Sequence, residues 1–305
     1  MLKSILPEDV YIAVKSLNIK GLREIRLRVD KPIIVNYGNN FYLGKNGLVD
    51  DEKNAFIISS QMLNDIVFKA CECSIYAYNE EIKNGYITLK NGARIGLCGE
   101  LVIENNIVKT IKNFSSLNIR IPHQVKNCSL DALMFLYDDK SVLNTLIVSP
   151  PGGGKTTFIR DLCYQFSTKF LATNILVLDE RGEIGCCLDG VPQMDLGGNV
   201  DILTNCSKSF GLECGIRTMN PEVIFLDEIA NEIDAYSLNY AVGSGVKIVA
   251  TAHSNNLESL YKKPYLKHLF NEKVFDRIVI LSSRNGAGTL EYIYNENKNC
   301  LYCAG

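Results

Sequence analysis

The sequence lacks an excess of charge of either sign. Its 305 residues carry 32 Lys and Arg against 34 Asp and Glu, a formal net charge of −2. That leaves no global basic field for nucleic acid or an acidic membrane, and only a local patch could serve. It also lacks any apolar run near the roughly 18 residues that a membrane-spanning helix needs, so none is expected. The first residues, MLKSILPEDV, lack the long apolar stretch of a secretory leader, and no signal peptide is expected. There is no low-complexity segment and no internal repeat.

What is present is ordinary for a globular chain with a real core: 47% hydrophobic and 22% charged residues. The length suggests two domains. Eleven cysteines, an odd number scattered through apolar segments, read as buried reduced thiols of a cytosolic protein, not a disulfide framework. Cys71 and Cys73 form one close pair, and Cys300 and Cys303 a C-x-x-C. No second paired motif accompanies it, so a zinc site is not expected.

Residues 24–29 alternate, with Ile25, Leu27 and Val29 on one face and Glu24, Arg26 and Arg28 on the other. Leu63, Ile66, Val67 and Ala70 have helical spacing. Tyr86–Leu89 and Arg94–Leu97 flank Lys90-Asn91-Gly92, a hairpin signal. Leu101–Ile103 and Ile107–Ile111 are joined through Asn105-Asn106, and Ser116–Ile121 alternates again before Pro122. This is an α+β pattern with antiparallel pairs. From about Ser129 the pattern changes. Short apolar runs, Thr145–Val148, Ile175–Leu178, Val223–Leu226, Lys247–Thr251 and Arg277–Leu281, alternate with helical segments. Parallel strands covered on both faces read this way. The expectation is a smaller N-terminal α+β domain over 1–125 and an α/β P-loop domain over 126–305.

The run Thr145–Val148 leads into Ser149-Pro150-Pro151-Gly152-Gly153-Gly154-Lys155-Thr156-Thr157. The pattern G-x-x-x-x-G-K-[ST] is met at every fixed position but the first, where Ser149 replaces glycine. The segment Pro151–Thr157 is the expected phosphate cradle, its glycines letting backbone N–H groups turn inward. Lys155 is expected on the β- and γ-phosphates and Thr156 on Mg²⁺. The helix that begins there adds its positive end, with Phe158, Ile159, Leu162, Cys163 and Phe166 as its buried stripe.

Such a loop needs a carboxylate for magnesium and a means to activate water. Val223-Ile-Phe-Leu-Asp227-Glu228 places both at one strand end: Asp227 for Mg²⁺ through its water shell, Glu228 to orient or deprotonate water. A second acidic strand end, Leu176-Val-Leu-Asp179-Glu180-Arg181-Gly-Glu183, is either a solvated charged loop or further carboxylates, Glu180 and Glu183, facing the γ-phosphate or the water. Arg181 could reach a phosphate in its own or a neighbouring subunit. His253, in Ala250-Thr-Ala-His253-Ser254, ends another strand and could bond the γ-phosphate and report its loss. No N-K-x-D guanine-reading motif follows, so ATP is favoured over GTP.

SPPGGGKTT, LVLDERGEI, IRTMNPEVIFLDEI and ATAHS, in this order and with EIRLRVDKP, NGARIGLCGE and SSLNIRIP before them, resemble the stage III sporulation AA family over nearly the whole chain. That family is similar to the secretion-type ATPases of type II and type IV secretion and pilus assembly. By that resemblance, Asp179–Glu183 matches their acidic box, Asp227-Glu228 their Walker B and His253 their histidine box. The resemblance implies a RecA-like fold and a hexameric ring with nucleotide between subunits. It also implies a cytoplasmic, mother-cell motor, peripherally bound to a membrane-anchored channel or secretion complex during endospore formation. It implies an N-terminal arginine reaching the nucleotide: Arg120 first, Arg94 second, with Arg217 as another phosphate contact. Two alternatives stand beside the motor. One is a RecA-like nucleic-acid translocase, against which the neutral charge balance counts. The other is a non-hydrolysing, ATP-gated scaffold.

Overall fold

The structure is a computed structural model that describes residues 2–18, 21–90, 92–138, 141–170 and 173–305. Asn91, in the middle of the Lys90–Gly92 turn signal, lies outside the described residues, as does the first residue of the N-terminal segment. The chain divides into two compact units, Met1–His123 and Gln124–Gly305.

The N-terminal unit holds, among its described residues, a seven-stranded antiparallel sheet. Its strands are β1 (Glu24–Arg28), β2 (Ile34–Asn36), β3 (Asn40–Gly44), β4 (Gly47–Val49), β5 (Tyr86–Thr88), β6 (Arg94–Glu104) and β7 (Ile107–Arg120), in the order β4-β3-β2-β1-β7-β6-β5. Period-2 alternation sends Ile25 and Leu27 inward. The core meets Leu63, Ile66, Val67 and Ala70 of the helix Ser60–Ala70. Ser59 caps that helix by accepting the Met62 N–H.

The segments expected as four strands after residue 94 are two long ones. β6 and β7 form one ribbon, with register shifts at Cys98/Glu100 and Val102/Ile103. The irregularities that break the sequence pattern are bulges, not chain reversals. At the first, a Cβ on Gly99 would lie 2.7 Å from the Lys112 carbonyl, so only glycine passes. Asn105 and Asn106, at φ 51° and 62°, make the two-residue turn.

The C-terminal unit is built on β8 (Thr145–Ser149), β9 (Ile175–Asp179), β10 (Val200–Thr204), β11 (Val223–Glu228), β12 (Lys247–His253), β13 (Arg277–Ser282), β14 (Thr289–Asn295) and β15 (Cys300–Cys303). The order is β10-β9-β11-β12-β8-β13-β14-β15. The strands from β10 to β13 are parallel, while β14 and β15 are antiparallel. Alternate residues feed two cores. Ile147, Val177, Phe225 and Val249 pack with Phe158, Ile159, Leu162, Cys163 and Phe166 of the helix Lys155–Lys169. Leu146, Leu178, Leu226 and Ile248 pack with the helices Lys208–Met219 and Glu232–Gly243. A parallel sheet wound on both faces follows. The sequence pattern missed β10, β14 and β15. Each is partly exposed along its length and so never shows the continuous apolar run of a central strand.

The cysteines need correction. Among the described residues all are free, but only Cys71, Cys163 and Cys186 are buried; Cys73, Cys98, Cys300 and Cys303 are exposed. Cys300 and Cys303 fall on β15, the edge strand of the sheet, which pairs on one side with β14. No described helix is long and apolar enough to cross a membrane.

Candidate functional site

β11, β12 and β8 are adjacent and parallel, so their carboxyl ends share one edge of the sheet. Ligands of open α/β sheets bind at that edge. Ser149 is buried and its Oγ donates to the Pro150 carbonyl at 2.8 Å. A Cβ on Gly153 would stand 2.6 Å from that Oγ. The serine at the first motif position therefore fits beneath the loop because glycine lies opposite it. Gly154, at φ 89°, caps the helix Lys155–Lys169. Its bare α-carbon is pressed by the backbone of Ala287 and Gly288, and the Gly288 N–H donates to the Gly153 carbonyl at 3.1 Å. The β13–β14 connection thus buttresses the loop, a contact without a sequence motif. Pro151 and Gly152 are exposed, and Thr156 and Thr157 are half-buried in the first helical turn.

Lys155 is 9% exposed. Its Nζ donates to His253 Nδ1 at 2.6 Å. The same Nζ lies 3.3 Å from Nε2 of that ring. Nε2 lies 3.3 Å from Glu228 Oε2, and Arg181 Nη1 lies 3.9 Å from the same oxygen. Lys155, His253, Glu228 and Arg181 form one polar chain across the carboxyl ends of β8, β12, β11 and β9. Burial holds the Lys155 ammonium below the usual lysine range, opposed by the charges of Glu228, Asp227 and Glu183.

The two aspartates that end β9 and β11 differ. Asp179 is fully buried and accepts the N–H groups of Glu183 at 2.7 Å, Ile184 at 3.1 Å and Gly185 at 2.8 Å. Burial raises its pKa, against the pull of these bonds. The carbonyls of the same turn are held by Arg160, which donates to Ile184 at 2.8 Å and Glu183 at 2.7 Å from the phosphate-loop helix. Asp227 is 8% exposed, and its Oδ2 has no hydrogen-bond partner among the described residues.

Glu180 does not stand open toward the loop. Its carboxylate is paired with the buried Lys208. Glu183 is exposed and lies close enough for its charge to act on Lys155. Arg217 pairs with Glu213 on the last turn of the helix Lys208–Met219. That helix leads into the start of β11, so Arg217 lies toward the sheet edge opposite the one that carries Asp227. Arg120 and Arg94 are register partners on β7 and β6 of the N-terminal unit. Arg120 is exposed, 3.9 Å from Glu24, and Arg94 lies over the Tyr86 ring. Arg160 and Lys208 were missed in sequence because a lone basic residue in a helix carries no motif.

The residues present fit a nucleotide phosphate with a magnesium ion. The glycine loop offers backbone donors at a helix N-terminus. The unpartnered Asp227 oxygen and the Thr156 hydroxyl are the hard oxygen ligands that Mg²⁺ takes.

A family model described as "Sporulation stage III, protein AA" matches residues 6–301. "Stage III sporulation protein AA" of Bacillus subtilis (strain 168) is 37% identical over 304 residues, covering 97% of this chain and 95% of its own. Among solved structures, the Legionella pneumophila ATPase DotB superposes with a TM-score of 0.56 at 12% identity, over 86% of this chain and 72% of that one. The pilus retraction motor PilT, solved with bound ADP, gives a TM-score of 0.57 at 12% identity, over 88% and 75%. These likenesses are of fold, a RecA-like P-loop ATPase fold.

Proposed function

The chain belongs to the sporulation stage III protein AA family, and from that premise we propose that it is a Mg²⁺-dependent ATP hydrolase that drives a membrane-associated complex during endospore formation. The observation that carries the proposal is the polar chain Lys155–His253–Glu228 beside the buried, unpartnered oxygen of Asp227. Lys155 leaves His253 to take the β- and γ-phosphate oxygens of ATP, which neutralise it better than an imidazole nitrogen. Glu228, freed from its imidazole neighbour, accepts a proton from the attacking water or aligns it for in-line displacement. His253 then has an N–H to offer the γ-phosphate. Arg181, beside Glu228, is placed to stabilise developing charge. Thr156 and Asp227 would hold the magnesium ion, whose charge offsets that of the phosphates. Glu183 adds negative potential near Lys155, and Asp179 shapes the turn that carries Arg181 and Glu183.

The ring state, six copies with nucleotide between them, and the contact with a channel or secretion complex at a membrane are part of this reading. So is a cytoplasmic location on the mother-cell side, and so is Arg120 as the N-terminal arginine that completes the site. Domains 1–125 and 126–305 act as the two moving parts. The test is steady-state phosphate release by the purified full chain, with and without Mg²⁺. Glu228→Gln is expected to keep ATP binding and to lower turnover by about 100-fold or more. Equal turnover in the two proteins would reduce the chain to an ATP-gated scaffold. Strong stimulation by single-stranded DNA would point to nucleic-acid translocation.

A further inference from the structure

Lys208 occupies the first position of the helix Lys208–Met219 and is 5% exposed. That is a poor place for a cation. The helix N-terminus carries partial positive charge, and burial strips the ammonium of water. Two carboxylates from separate segments hold it there. One is Glu180, directly after β9. The other is Asp234, in the first turn of the helix Glu232–Gly243, with Oδ2 at 3.7 Å.

Both carboxylates lead back to Glu228. Glu180 precedes Arg181, whose Nη1 lies 3.9 Å from Glu228 Oε2. Asp234 Oδ2 accepts the N–H of Ala230, two residues past Glu228, at 2.9 Å. The Asp234 N–H is in turn held by Asn231 Oδ1 at 3.0 Å. One ammonium therefore ties the segment that brings Arg181 to Glu228 and the segment that carries Glu228 itself.

We propose that Lys208 is a positioning residue for Glu228, setting the distance between these two segments; the inference rests on the hydrolytic reading of the site. Without the ammonium, Glu180 and Asp234 face each other as uncompensated like charges. The turn after β9 and the turn after β11 then separate, and Glu228 loses its alignment. The phosphate loop and Lys155 are untouched, so nucleotide affinity stays. A displacement of about 1 Å at the reacting centre is enough to cost up to about 100-fold in rate.

The experiment compares Lys208→Met, Lys208→Arg and Glu180→Gln, each in the wild-type and the Glu228→Gln background of the full chain. kcat and KM for Mg-ATP, binding of a fluorescent ATP analogue and thermal melting are measured. Lys208→Met is expected to lower kcat by about 10- to 100-fold with KM within about threefold. Lys208→Arg restores most of kcat. In the Glu228→Gln background Lys208→Met changes the residual rate little, because the residue it positions is already gone. If Lys208→Met does not fold, Glu180→Gln carries the test, with a smaller kcat loss that is also silent in the Glu228→Gln background. An equal proportional loss in both backgrounds, a rise in KM with kcat kept, or a Lys208→Met variant as active as wild type would overturn the inference and leave the hydrolytic reading standing. Wild-type turnover no faster than that of Glu228→Gln would overturn both.

Discussion

β9 and β11 lie side by side, both buried and apolar, and an Asp-Glu pair stands at the carboxyl end of each. In sequence, LVLDE and IFLDE are near copies. In the fold they are opposites. Asp179 accepts three backbone N–H groups, while Asp227 keeps a buried oxygen with no partner among the described residues. Glu180 answers a buried lysine, while Glu228 meets His253 and Arg181. A buried carboxylate is expected to be fully hydrogen-bonded. The one that is not is the one left for a ligand, and the one that is saturated builds the turn beside it.

The largest effect that tests this contrast is on stability. Asp179→Ala leaves three backbone donors buried and unmet, at about 1–3 kcal/mol each before relaxation, so a net loss of about 3–5 kcal/mol is expected in chemical denaturation. A loss under about 1 kcal/mol would erase the distinction between the two strand ends. Next is Asp227→Asn, expected to lower Mg-ATP hydrolysis by about 100-fold while the melting temperature of the nucleotide-free protein holds or rises. Arg160→Met frees the two carbonyls that close the Asp179 turn, and about 2 kcal/mol of destabilisation is expected. The smallest is Lys155→Met. Burial lowers the Lys155 pKa in the folded chain, so the folded state binds fewer protons between that lowered value and the unfolded 10.5. The burial cost is present at neutral pH and fades as pH rises through this window. Lys155→Met is therefore expected to melt slightly higher than wild type near pH 7, with the gap closing toward pH 10.5.

The sequence made legible what is contiguous. Ser149–Thr157 is a single run, and the buried stripe from Phe158 to Phe166 follows helical spacing. The strands bearing Asp227 and His253 are continuous apolar runs, so their place at one sheet edge could be read. Contacts between distant segments left no such trace. Gly288 against Gly153, Arg160 on the Glu183 and Ile184 carbonyls, and Lys208 between Glu180 and Asp234 each join residues tens of positions apart. The pairing of Glu180 is of the same kind: its partner Lys208 lies 28 residues later. The long ribbon β6–β7 was broken into short strands because a bulge and a chain reversal look alike when alternation lapses.

The measurement closest to the central claim is Mg-ATP turnover by the full chain and by Glu228→Gln, at nucleotide concentrations where both are saturated. The account expects both proteins to bind ATP and the variant to release phosphate about 100-fold more slowly. Equal rates from two saturated proteins would contradict it.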